Sequence, residues 1–169
     1  YKRQIEAWVR WNINPATGSA SAAIVNRNDF GSGWGLGHSV DNSRFRFYIG
    51  NPATAIQSNT TTQQNVWYHV AGVYDGSNLK LYINGVLENS TSRTATLPTS
   101  NSSVTIGRTA VTAASYFSGT MDEIAIYGRG LSQQEIMDHY RRGTVRLNMS
   151  ARSCSDISCT NTNFTNPQT

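Results

Sequence analysis

Ten carboxylates and three histidines are the side chains on which acid–base or nucleophilic chemistry in this 169-residue chain would have to rest. The acids are Glu6, Asp29, Asp41, Asp75, Glu88, Asp122, Glu123, Glu135, Asp138 and Asp156. Hydrolysis of a glycosidic bond needs two carboxyl groups about 5–10 Å apart across one bond. Residues i and i+2 share a face of a strand, and no two of the ten stand at that spacing on an expected strand. Asp122 and Glu123 are adjacent, so a regular strand sends them to opposite faces. His38, His69 and His139 serve no G-x-S-x-G elbow. His69 alternates with apolar neighbours, the pattern of a core or interface histidine, and His139 falls on an expected exposed helix face. Cys154 and Cys159, with no further Cys and no His nearby, cannot complete a four-ligand zinc site. They form a local disulfide if the chain is secreted and remain two thiols otherwise. These residues point away from an enzyme.

What remains is binding. Aromatic rings stack on the C–H faces of sugars, and Trp34, Tyr48, Tyr82 and Tyr116 stand near expected loops or on faces opposite the apolar ones. The plainer role for each is cross-strand packing. Arg44 and Arg46, two apart on an expected strand, would form a patch for an anionic glycan or lipid, or simply a solvated face. Calcium takes six to eight oxygens from carboxylates and carbonyls on loops, and Asp122 is the candidate ligand. Its alternative task, with Glu123, is to bond backbone amides at an irregularity in the strand. The net charge of +4 comes without any Lys/Arg run, which argues against a nucleic-acid arm. No stretch approaches the roughly 20 apolar residues of a membrane span, so direct membrane insertion is not expected.

The elements that must position these residues are mostly strands. Hydrophobic residues make up 38% and charged residues 14%, with Ser, Thr, Asn and Gln filling the difference. That composition suits an extracellular β-protein. Ile5, Ala7, Val9 and Trp11 alternate with Glu6, Trp8 and Arg10, a strand with one face in a core and the other partly covered. Short strands are also expected over Ala22–Asn26, Trp34–His38, Arg44–Ile49, Trp67–Tyr74, Leu79–Ile83, Val86–Asn89 and Val104–Arg108. Asn84-Gly85 suits a two-residue type I′ turn, in which both central residues need positive φ. Within Phe117–Tyr127 the apolar phase changes, because Met121 is in one register and Ile124 and Ile126 in the other. A bulge at Asp122-Glu123 is the expected cause. Ser132 and Glu135 form a capping box, and Leu131 and Ile136 a hydrophobic staple. They start one helix, expected to run from Gln133 to Arg142 and to stop at Gly143.

The run Trp67-Tyr68-His69-Val70-Ala71-Gly72-Val73-Tyr74-Asp75-Gly76, continuing through Leu79-Lys80-Leu81-Tyr82-Ile83-Asn84-Gly85, resembles the laminin-G-like family. That family is related to pentraxins and concanavalin-A-type lectins. Ala7-Trp8-Val9, the stretch Phe117 to Tyr127, and Leu131-Ser132 to Glu135-Ile136 match in the same order. The resemblance covers roughly residues 4 to 140. It implies an all-β fold, an antiparallel two-sheet jelly-roll β-sandwich with one short C-terminal helix. It also implies calcium in many relatives and a further strand ahead of Ala7-Trp8-Val9.

Two units follow from this reading. Residues 1–143 form the laminin-G-like sandwich, lacking that first strand. Residues 144–169 form a linker and the opening strand of a following β-domain, signalled by the alternation of Val145, Leu147 and Met149. The function expected is a non-catalytic extracellular recognition or adhesion module of a larger secreted or cell-surface protein, binding a glycan or glycoprotein. The alternative is a structural spacer joined to neighbouring domains or subunits by sheet-edge pairing, with no small ligand.

Overall fold

The computed structural model describes residues 2–14, 22–28, 33–39, 42–50, 53–94, 97, 101–108 and 116–147. Among these residues, ten strands form two five-stranded sheets, every paired neighbour antiparallel. The strands are β1 (Arg3–Trp11), β2 (Ala23–Arg27), β3 (Trp34–Ser39), β4 (Arg44–Ile49), β5 (Thr54–Thr61), β6 (Trp67–Tyr74), β7 (Asn78–Ile83), β8 (Val86–Ser92), β9 (Val104–Ile106) and β10 (Gly119–Tyr127). One sheet, here the helix sheet, runs β10-β1-β6-β7-β8, and the other, the open sheet, runs β5-β4-β3-β2-β9. The two-sheet sandwich expected from sequence is therefore what the chain forms. The strand β5 carried too weak an apolar alternation to be expected, since Ile56 is its one large hydrophobe.

Period-2 alternation builds the core between the sheets. Ile5, Ala7 and Val9 from β1, Phe45, Phe47 and Ile49 from β4, and Leu79, Leu81 and Ile83 from β7 meet there and are almost wholly buried. Gly72 explains one gap in the apolar pattern of β6. A Cβ at that position would lie 2.4 Å from Phe47 Cδ2, so the glycine makes room for the ring. The buried side chains of His38 and Thr62 are bonded, which offsets the cost of burying them. His38 Nε2 lies 2.7 Å from Thr62 Oγ1, and the Thr62 hydroxyl donates to the Ser43 carbonyl at 3.0 Å.

The helix sheet is buried on its outer face as well, by helix α1 (Gln133–Leu147). The helix starts as expected. Glu135 N donates to Ser132 Oγ at 3.2 Å, and Ser132 N donates to Glu135 Oε2 at 2.8 Å. Arg129 pairs with Glu135 at 2.6 Å, and with Ser132 it holds that carboxyl down at about 2. Leu131 and Ile136 pack on Ala71, Val73 and Tyr82 from the outer face of β6 and β7. Full burial of a residue such as Ile136 contributes roughly 1.5–3 kcal/mol. That matters here, because a helix of this length is marginal alone.

The end of the helix corrects the sequence reading. α1 does not stop at Gly143 but continues to Leu147, so Val145 and Leu147 belong to a helix rather than to a following strand. Met149 and the rest of the expected second unit lie outside the described residues, as do Cys154 and Cys159. Gly143 is there for proximity. A Cβ on it would sit 2.1 Å from Trp8 Nε1, and Trp8 is held between His69, at 5.5 Å, and Tyr140, stacked at 5.6 Å.

Gly143→Ala should therefore destabilise the fold. Ala gains about 1 kcal/mol of helix propensity, but overpacking against a pinned indole costs about 1–3 kcal/mol. A lower urea midpoint with altered Trp8 fluorescence is the expected result, and a raised midpoint would refute the packing role. A second expectation concerns acid. Burial pushes the His38 and His69 rings down from 6.5 to about 4. Between those values the unfolded chain takes up protons that the folded chain refuses. Stability is thus full above pH 6.5 and falls as pH drops toward 4, by at most roughly 3 kcal/mol per histidine. Urea midpoints measured from pH 7 to 4 should decline, and His69→Phe should flatten the decline by about half.

Candidate functional site

The arginines singled out in the sequence lie together on the outer face of the open sheet. Register places Ser39 beside Arg44, Gly37 beside Arg46 and Gly35 beside Tyr48, with Gln57 and Ala55 flanking Arg46 and Tyr48 on β5. The inward-facing set of β4 is apolar, so Arg44, Arg46 and Tyr48 face away from the core and are half-buried. Tyr48 leans over Gly35, where a Cβ would lie 2.7 Å from its hydroxyl. The Arg46 guanidinium sits 5.9 Å from the Tyr48 ring centroid.

This face opens into a groove of about 650 Å³ that reaches the sandwich edge where β5 and β8 meet. Arg44, Arg46, Gln57, Asn59, Asn89, Ser90 and Thr91 line it, and among the described residues no carboxylate does. The edge is stitched by side chains. Glu88 Oε2 accepts from the amides of Asn59 at 2.7 Å and Thr60 at 2.9 Å, and Asn89 Nδ2 donates to the Gln57 carbonyl at 2.9 Å. Glu88 Oε1 also accepts from the Thr60 hydroxyl. The edge amides thus meet a fixed acceptor, and the groove presents guanidinium forks, side-chain amides and hydroxyls.

The other expected contact residues are placed differently. Trp34 is 3% exposed within the core and Tyr82 is 4% exposed beneath α1, so neither offers a ring face to a ligand. Burial makes both rings packing residues. Tyr116 is 63% exposed, next to β9 and far in sequence from the arginines. Asp122 sits where the phase change required a bulge. Ala7 of β1 stands opposite Glu123 and Ile124 of β10, and Glu123 adopts φ 48°. Asp122 Oδ1 accepts the Glu123 amide at 2.8 Å, the backbone-bonding role weighed in the sequence. No three His, Cys, Asp or Glu side chains converge among the described residues.

Sequence reasoning missed a second concavity. Between α1 and the β1/β10 side of the helix sheet lies a groove of about 730 Å³, floored by Glu6, Trp8 and His69. Glu6 is buried, and its Oε1 accepts from the Tyr127 hydroxyl at 2.8 Å and pairs with His139 Nδ1 at 2.7 Å. Its Oε2 accepts from Gln4 Nε2 at 2.9 Å, and Gln4 Oε1 accepts the Leu131 amide at 2.8 Å. Arg141 and Arg142 stand at the helix rim. Only the polar residues of β1 signalled this site, and their partners on β10, at Leu131 and on α1 lie more than 120 positions away.

Comparison with known proteins agrees with this architecture. A family model described as the concanavalin A-like lectin/glucanases superfamily matches residues 5–137. No curated protein matches the chain. Among solved structures, the chain is similar to domain 4 of AbnA, a GH43 extracellular arabinanase from Geobacillus stearothermophilus, in complex with arabinotriose. The identity is 21% and the TM-score 0.68, over 81% of this chain and 65% of that one. A carbohydrate-binding candidate protein from Bacteroides ovatus is 17% identical with a TM-score of 0.68, over 80% and 40% of the two chains. The receptor binding domain of botulinum neurotoxin D is 17% identical with a TM-score of 0.67, over 86% and 38%. The chain thus spans two thirds or less of each of these structures, and at such identities the likeness establishes the fold. With the family model covering most of its length and the two antiparallel sheets in place, this chain belongs to the concanavalin A-like lectin/glucanases superfamily.

Proposed function

We propose that this chain is a non-catalytic carbohydrate-recognition module of a larger secreted or surface protein, and that it binds through the groove on the open sheet. The observation that carries the proposal is that groove's chemistry. Arg44 and Arg46, two apart on one face, stand among Gln57, Asn59, Asn89 and hydroxyls, and no described carboxylate lines the groove. Guanidinium forks and amides bond vicinal hydroxyls or a sugar carboxylate in fixed geometry. Tyr48 shares the outward face of β4 beside the groove, its hydroxyl over Gly35. The similarity to an arabinanase domain solved with arabinotriose and to a carbohydrate-binding candidate supports the same class of ligand. Fold alone does not fix function, so the argument rests on the groove. The alternative of strand addition at a sheet edge gains less support. β10 is interrupted by its bulge, and Glu88 engages two edge amides of β5, both of which blunt an edge for pairing.

The test is a glycan array followed by calorimetry on the full chain, with arabino-oligosaccharides, β-glucans and uronic-acid oligomers, each with and without EDTA. Binding of at least one saccharide is expected, unaffected by EDTA and weakened at least tenfold by Arg44→Ala with Arg46→Ala. No release of reducing ends is expected from any ligand that binds. Silence across the array, together with concentration-dependent oligomers in solution, would replace this reading with the assembly one.

A further inference from the structure

The groove under α1 has a different chemistry from the arginine groove. Its floor includes His69, which is 2% exposed, with an Nδ1 that is sealed from solvent and has no hydrogen-bond partner. Burial keeps this ring neutral at physiological pH, pushing it down to about 4. A neutral imidazole carries one N–H. Placing it on the sealed Nδ1 would strand a buried donor, which folded proteins rarely tolerate. The proton therefore belongs on Nε2, and His69 becomes a fixed donor on the groove floor. Glu6 lines the same floor; its Oε2 accepts one bond, from Gln4, and a carboxyl oxygen can accept a second. A donor and an acceptor lining one floor match the hydroxyls of a ligand, which both accept and donate.

We propose that this groove is a second binding site, for a neutral, hydroxyl-rich small molecule of about one to three sugar units. Its walls are amphipathic in the way such a ligand requires. Ile124 and Ala125 supply apolar surface, and Arg142 stands at the rim. The charge argues against an anion, because Glu6 and Glu123 offset Arg141 and Arg142 in the lining. A metal ion lacks its ligands, since no three suitable side chains converge among the described residues. The proposal does not depend on the arginine groove, from which this site differs in sheet, face and charge.

The test is an NMR titration of the ¹⁵N-labelled full chain with methyl glucoside, maltotriose, cellotriose and arabinotriose, and with sulfate and galacturonate as anionic probes. The Trp8 indole N–H and the His69 ring nitrogens are the readouts. At least one neutral sugar should shift both signals saturably. Ala125→Trp, which fills the mouth without entering the core, should weaken that binding at least tenfold, and His69→Phe should do the same. Arg44→Ala with Arg46→Ala should change it less than twofold. Three results would each overturn the proposal: no response to any neutral sugar, a response to the anions alone, or equal affinity in Ala125→Trp. Loss of the response in the arginine variant would also overturn it, by showing that the two grooves are one site.

Discussion

A carboxylate buried against a sheet must have its hydrogen bonds met inside the protein, and the placement of Glu6 imposes that condition on everything around it. Tyr127 from β10, His139 from α1 and Gln4 from β1 meet at its two oxygens. Gln4 passes the connection on to the backbone of Leu131, just ahead of the helix. The position of α1 is thus fixed at its start by a polar chain and along its length by Ile136 and Leu131 on the outer face of β6 and β7. Removing any member would leave a buried donor or acceptor unpaired, which costs about 1–3 kcal/mol. An apolar contact alone would allow the helix to slide, whereas the Glu6 network and the close approach of Gly143 to Trp8 specify one register.

That constraint makes the two sheets unlike each other. The helix sheet is covered on both faces, so its strands β1, β6 and β7 carry buried side chains almost without alternation. The open sheet keeps one face outside the sandwich, and β4 alternates fully buried with half-buried residues. The polar groove with its arginines forms on that second face. At the far side of the sandwich, Glu88 and Asn89 tie β8 to β5, which fixes the groove's edge. The two concavities therefore differ because one is roofed by a helix and the other is not.

Much of this was legible in the chain. The alternation of Arg44–Ile49 and the aromatic and β-branched run Trp67–Tyr74 matched those strands to the residue. Asn84 and Gly85 both adopt positive φ, at 51° and 78°, as the two-residue turn demands. The phase change at Met121 to Ile124 marked a bulge that the register confirms. β5 was not legible, because an edge strand with one large apolar residue looks like a polar loop until a partner satisfies its amides. The helix end was misread because Gly143 is the same residue whether it terminates a helix or admits an indole. Of the expected contact residues, Arg44, Arg46 and Tyr48 do share one solvent-facing surface. Trp34 and Tyr82 do not, since an aromatic opposite an apolar stripe is exposed only if nothing covers that second face.

The sequence by itself determined which side chains alternate, where the chain turns and where the helix begins. These depend on neighbours within a few residues, through φ preferences, capping bonds and the period of the strand. Only the tertiary structure decided which second faces are covered, and so whether an aromatic or a charged residue packs, bonds or meets a ligand. Glu6 and His139, 133 positions apart, illustrate the difference. Nothing local to either residue signals the other, and the contact exists because a helix starting after β10 is folded back across β1.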